Sequence, residues 1–123
     1  RVKNHGLRFR WQVGELTELK GLSPHHVLHI MRIIEEAVTN VIKHAGASEI
    51  TIQAGDCKHT GVAGVCIDVS DNGVGLKTDA PCGRGLGNMA RRAEILGGAL
   101  SFNSPEQGTR LSLWLPASLT SPD

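Results

Sequence analysis

Residues 33–45, IIEEAVTNVIKHA, decide how this chain is read. Wound as an α-helix, the stretch and the turns before it place Val27, Met31, Ile34, Val38, Val41 and Ala45 three or four residues apart. That spacing predicts the stripe that packs on a core. At about 100° per residue, Glu36, Asn40 and Lys43 fall roughly opposite the stripe. A carboxylate, an amide and an ammonium on one rigid rod suit a metal–phosphate ligand. The same face also suits bulk solvent, because Glu and Lys are ordinary neighbours on an exposed helix. The helix alone leaves both readings open, and two glycine clusters further on weigh between them.

The chain has 123 residues, enough for one domain around a single core, expected to span 1–123. Hydrophobic residues make up 40% and charged residues 20%, the composition of an ordinary globule. A net charge of +1 argues against a dedicated nucleic-acid binder with a basic stripe. No apolar run approaches the roughly 18 to 20 residues that span a bilayer. With no start methionine and no signal-peptide pattern, the expectation is a domain cut from a larger protein. Cys57, Cys66 and Cys82 are widely spaced and form no CxxC, so reduced thiols in a cytosolic setting are the default. His25, His26 and His29 lack partnering cysteines or carboxylates and are expected to be exposed rather than metal-bound.

Working outward from the helix, Leu7, Phe9, Trp11 and Val13 alternate with polar residues and predict a half-buried strand. Ser23 followed by Pro24 is a helix start, a capping hydroxyl before a proline at the first helical position. The helix is expected to run to about Ala45, with Gly46 to stop it. Ile50 and Ile52 mark a second strand, residues 55–61 a polar turn, and Val65, Ile67 and Val69 a third strand. A second helix is expected from Leu86 to Leu96, ended by Gly97 and Gly98. Leu100 and Phe102 mark a fourth strand, and Leu111, Leu113 and Leu115 a fifth. The tail from residue 117 is expected to fray. Strands in groups of one, two and two, with helices between, predict an α/β class: a two-layer sandwich with a mixed sheet of about five strands and the helices on one face.

Asp71-Asn72-Gly73-Val74-Gly75 follows the third strand directly. A carboxylate at a strand end can accept a hydrogen bond from an exocyclic amine, while Gly73 and Gly75 let backbone close over a flat base. An Asp-Asn-Gly turn has the same letters and is the commoner outcome. Gly83-Arg84-Gly85-Leu86-Gly87 stands just before the second helix, where unpaired N–H groups and the positive dipole end make a phosphate cradle. It is neither a P-loop, since no GK[ST] follows, nor a Rossmann fingerprint. Arg84 can add charge to such a cradle or lie solvated in a loop. The Thr109 hydroxyl, beside Gly108, can reach a base directly or through water, or serve the turn alone.

The order of these pieces is what is specific. ExxxNxxKH on a helix, DNGVG after a strand, GRGLGNM opening a helix and GT before a strand closely resemble the ATPase fold shared by histidine kinases, gyrase, HSP90 and MutL. The resemblance covers about residues 22–116. LSPHHVLHIMRIIEEAVTNVIKHA, GLGNMARRAEILGGAL and the closing GTRLSLWLP are similar to sensor histidine kinases of the nitrate-sensor and desaturase-regulator type.

The resemblance implies that the chain binds ATP and donates its γ-phosphate to a histidine. Asn40 would coordinate the Mg²⁺ that bridges the phosphates, with Lys43 and His44 beside the phosphate oxygens. Asp71 would hold the adenine amino group, Gly73 and Gly75 would shape the base pocket, and Thr109 would help seat the base. Gly83, Arg84, Gly85, Leu86 and Gly87 would form the lid and phosphate end. Glu36 stands where related ATPases keep a water-activating carboxylate, and in a kinase it would tune the metal and phosphate region instead. Only seven residues separate the two glycine clusters, so the lid is short. No phosphoacceptor helix is recognisable, which implies an acceptor histidine on a separate dimerisation domain. The implied partners are that domain and a response regulator. The implied parent is a homodimer of a kind that can be anchored in the inner membrane, with this domain cytoplasmic and monomeric when isolated. An anti-sigma-factor type protein-serine kinase and a non-catalytic nucleotide-responsive module are the alternatives. Against the second stand the intact Asn40, Asp71 and glycines.

Overall fold

The computed structural model describes residues 8–14, 19–45, 47–73, 83–103 and 108–119. In chain order the elements are β1 (Arg8–Val13), α1 (Pro24–Asn40), β2 (Glu49–His59), β3 (Val62–Asp71), α2 (Gly83–Ile95), β4 (Ala99–Asn103) and β5 (Arg110–Pro116). One π-helical turn, Val41–Ala45, prolongs α1. The strands form one sheet in the order β1-β2-β3-β5-β4. β1 runs parallel to β2 and the remaining neighbours are antiparallel. Ile33, Ala37 and Val41 of the first helix and Met89, Ala93 and Leu96 of the second join one buried cluster with Ile50, Ile52, Val69, Leu111, Leu113 and Leu115. Each Val, Ile, Leu or Met side chain among them contributes about 1.5–3 kcal/mol on leaving water. Both helices therefore cover the same sheet face, giving the two-layer α/β sandwich expected.

Local signals act where the sequence carries them. The Ser23 hydroxyl accepts from the His26 N–H at 3.3 Å, and Pro24 opens the helix. At the end of α2, Gly97 has φ 73° and the Gly98 N–H reaches the Ala93 carbonyl at 2.9 Å, a glycine-terminated stop.

Several expectations change. The buried stripe of α1 is His26, Ile33, Ala37 and Val41, while Val27 and Met31 are 43% and 48% exposed. Apolar residues occupy about half of this helix and lie on more than one of its faces, so periodicity alone does not fix its rotation. Packing against the sheet on one side and α2 on another does. Glu36 and Asn40 consequently flank the buried stripe instead of opposing it. His26, expected to be exposed, is 1% exposed because its Nδ1 accepts from the Ser23 N–H at 2.9 Å and closes the cap.

Residues 55–61 are mostly strand: β2 and β3 pair from Ile50↔Asp71 to His59↔Val62. The turn is only Thr60-Gly61, both with positive φ, as a two-residue hairpin requires. Within this ladder Cys57 and Cys66, expected as free thiols, form a disulfide with Cα atoms 5.9 Å apart. They are diagonal neighbours on one sheet face, within bridging reach once the hairpin forms. β1 is an edge strand whose Trp11 and Val13 stay exposed, since α1 packs over β3 and α2 over β4. The tail is not frayed at its start: the Leu119 N–H donates to the Lys20 carbonyl at 2.7 Å, and Leu119 is buried. Gly46 and Cys82 lie outside the described residues. Among those residues no helix is long and apolar enough to cross a membrane.

Candidate functional site

Antiparallel pairing of β3 with β5 sets Ser70 opposite Arg110, which brings the end of one strand to the residues before the other. The Asp71 N–H donates to the Thr109 carbonyl at 3.0 Å. The Thr109 hydroxyl donates to Asp71 Oδ2, and the Gly73 N–H donates to Oδ1 at 2.7 Å. Both carboxylate oxygens are thus oriented and still keep lone pairs for a further donor. Thr109 is 4% exposed and Gly73 is buried. Gly108 has φ 84°, and a Cβ there would collide with the Asp71 carbonyl oxygen. Glycine is what lets the two segments approach this closely.

Asn72 fastens the same segment to the start of β2. Its side-chain oxygen accepts from the Ser48 and Glu49 N–H groups at 3.0 Å each, and its amide donates to the Ser48 hydroxyl at 2.9 Å. Asp71-Asn72-Gly73 is therefore a turn and a rigid mount for a carboxylate at once, so the two readings of those letters do not exclude each other.

Beside Thr109 a small apolar hollow of about 10 Å³ lies between sheet and helices, lined by Asn40, Val69, Met89, Phe102, Thr109 and Leu111 among others. Across Met89 lies a polar cleft of about 220 Å³ between α1 and α2, lined by Glu36, Thr39, Asn88 and Arg92 among others. Asn40 ends α1, one turn beyond Glu36, and Lys43 is exposed on the π-helical turn that follows. Arg92 Nη1 lies 3.0 Å from His29 Nδ1 and ties the two helices together. Burial holds the His29 imidazole below its ordinary value, and the charges of Arg92, His25 and His26 push it the same way.

The glycine cluster does not precede α2 but begins it. Gly83, Gly85 and Gly87 lie in its first turns, so the free N–H groups stand further toward the N-terminus than expected. A Cβ at Gly87 would meet nothing within 4 Å. Packing does not demand glycine there, and its absence of side chain leaves open space beside the helix start. Gly75 and the side chains of His44, Arg84 and Leu86 lie outside the described residues.

Residues 25–119 match the family described as histidine kinase-, DNA gyrase B- and HSP90-like ATPases. The chain belongs to this ATPase family. It is 43% identical over 89 residues to the nitrate/nitrite sensor protein NarQ of Escherichia coli, a match covering 68% of this chain and 15% of that protein. To the sensor histidine kinase LiaS of Bacillus subtilis it is 31% identical over 117 residues, covering 93% of this chain and 30% of the relative. The chain thus spans less than a third of either. The ATP binding domain of PrrB from Mycobacterium tuberculosis superposes with a TM-score of 0.61 at 30% identity, over 86% of this chain and 80% of that one. The catalytic domain of the histidine kinase ThkA shares the fold at 16% identity, with a TM-score of 0.72 over 95% of this chain and 82% of that one.

In this ATPase-family chain the structure brings Asp71, Gly73 and Thr109 into direct contact, and sets Asn40 along the same hollow. Glu36 lines the adjoining cleft. Asn72, Asn88, Met89, Phe102 and Arg92 border these features without standing out as site residues in the sequence. Asn72 was legible as the middle of a turn motif. The other four depend on how α1, α2 and β4 meet, which no local pattern states.

Proposed function

We propose that this chain is the ATP-binding catalytic domain of a two-component sensor histidine kinase, donating the γ-phosphate of Mg-ATP to a histidine on a separate dimerisation domain. The observation that carries the reading is the Asp71 carboxylate, held through both oxygens and bonded to Thr109, which lines an apolar hollow that reaches Asn40. An acceptor for an exocyclic amine, an apolar surface near it and oxygen donors one helical turn apart follow the parts of a purine nucleotide. Relatives bearing the name sensor histidine kinase favour this over a protein-serine kinase or a non-catalytic module.

In this account Asp71 accepts from the adenine amine, and Thr109 and the Gly73 N–H keep its oxygens aimed. Asn40 and Glu36 present amide and carboxylate oxygens, the hard donors that Mg²⁺ takes alongside phosphates. Bound there, the metal would neutralise charge on the β- and γ-phosphates. Lys43, and the helix start around Gly83, Gly85 and Gly87, add positive potential to the phosphate end. The incoming imidazole nitrogen forms a bond to the γ-phosphorus as the bond to the ADP oxygen breaks. Little is required of the protein beyond alignment and charge stabilisation.

The acceptor histidine and the response regulator belong to other domains or chains. The longer protein is a homodimer, with this domain cytoplasmic and the whole anchored in the inner membrane. γ-Labelled ATP tests the assignment. The isolated chain should incorporate little label, the longer protein should incorporate it on histidine, and Asn40→Ala should abolish that incorporation. Label on serine of a partner protein would point to the serine-kinase alternative, and strong labelling of the isolated chain would refute the need for a separate acceptor.

A further inference from the structure

Phe102 is a large apolar side chain that the core does not use. It sits on β4 opposite Leu111 of β5, on the sheet face that the helices cover. Leu100, two residues earlier on that face, packs against the buried cluster, whereas Phe102 is outside it and remains 37% exposed. Its neighbours Ser101 and Asn103 are exposed and polar. Burial does not account for an aromatic ring at this position.

The ring borders the hollow that Asn40, Met89, Thr109 and Leu111 also line. It is the one aromatic among the described lining residues. Thr109 in turn holds the Asp71 carboxylate, so the aromatic ring and the residue that orients the acceptor for an exocyclic amine line one hollow. A nucleobase is flat, and a hydrogen bond at its edge leaves both π-faces needing apolar partners. Aromatic side chains supply that contact, and do so with little dependence on which base is offered. The Met89 thioether, buried and bordering the same hollow, adds a polarizable surface that adapts to a flat ligand.

We infer that Phe102 is a binding residue of the nucleotide site, its ring packing against the face of the base whose amine Asp71 accepts. This deepens the nucleotide reading given above and rests on it. Asp71 then selects the edge of the base, and Phe102 makes binding depend on a planar π-system.

Titration calorimetry with a non-hydrolysable ATP analogue and Mg²⁺, on the unaltered chain and on Phe102→Ala, Phe102→Leu and Phe102→Trp, tests this. Phe102→Ala should weaken binding about tenfold, within the range found when an aromatic platform beneath a base is removed. Phe102→Leu should lose most of that affinity although it keeps apolar bulk, and Phe102→Trp should retain it. Because Phe102 lies outside the buried cluster, the thermal midpoint of the ligand-free variants should stay close to that of the unaltered chain. Affinity unchanged in Phe102→Ala or in Phe102→Leu would overturn the inference and leave the nucleotide reading standing. No binding by the unaltered chain would overturn the nucleotide reading itself, and this inference with it.

Discussion

The Thr109 hydroxyl donates to the Asp71 carboxylate from a position 4% exposed, across the junction where β5 begins and β3 ends. The two residues are 38 positions apart in sequence, and strand pairing makes them a unit. A carboxylate held this way presents its remaining lone pairs in a fixed direction, which is what recognition of one amine requires. Thr109 acts on the ligand through Asp71, as a positioning residue.

Thr109→Val keeps the shape and removes the donor. A hydrogen bond to a charged acceptor contributes about 1.5–3 kcal/mol, and part of that loss should appear in ligand binding. The expected outcome is roughly tenfold weaker binding of an ATP analogue, with Thr109→Ser close to the unaltered chain. Calorimetry on the three proteins checks it, and Thr109→Val binding as tightly as the unaltered chain would remove Thr109 from the account.

Gly108→Ala should be costly to the fold. A left-handed backbone costs a non-glycine residue about 1–2 kcal/mol, and here the added Cβ also meets the Asp71 carbonyl oxygen. A loss of about 2 kcal/mol or more in urea denaturation is expected, together with weakened nucleotide binding. Unaltered stability would mean that this approach of backbone to backbone is not tight in solution.

The His29–Arg92 contact predicts a direction with pH. Burial and the neighbouring charges favour the neutral imidazole in the fold, so the folded value lies below the ordinary 6.5. The stability this neutral form allows is complete above 6.5. It is lost as pH falls from there through the lowered folded value, since the unfolded chain binds the proton first. His29→Gln keeps polar bulk without the titration. Urea midpoints followed from pH 8 to pH 5, a window set about the ordinary histidine value, should fall more steeply for the unaltered chain than for His29→Gln. Parallel profiles would show that another group governs the acid limb.

Much of this was readable in the chain. Ser23-Pro24 and Gly97 punctuate helices by local chemistry, and the alternation of Leu111, Leu113 and Leu115 needs only a period of two. Those signals sufficed for element order and sheet class. Asp71, Gly108 and Thr109 stood out because glycine and carboxylate letters clustered at strand ends. The rotation of α1 did not, because Val27, Met31 and Ile34 look as core-like as Ile33 and Ala37 until α2 is set beside them. The length of the β2–β3 hairpin was hidden by Asp56, Lys58 and His59, which are polar strand residues rather than turn residues. Phe102 and Asn88 acquire meaning only when β4 and α2 are brought to α1.

The most direct test of the central claim is calorimetric titration of a non-hydrolysable ATP analogue with Mg²⁺ into the unaltered chain and Asp71→Asn. The amide keeps the size of the side chain and replaces one acceptor with a donor facing the base amine. Binding by the unaltered chain that is largely lost in Asp71→Asn is the predicted result. Equal binding by both proteins would contradict the assignment of Asp71 as the anchor of the base.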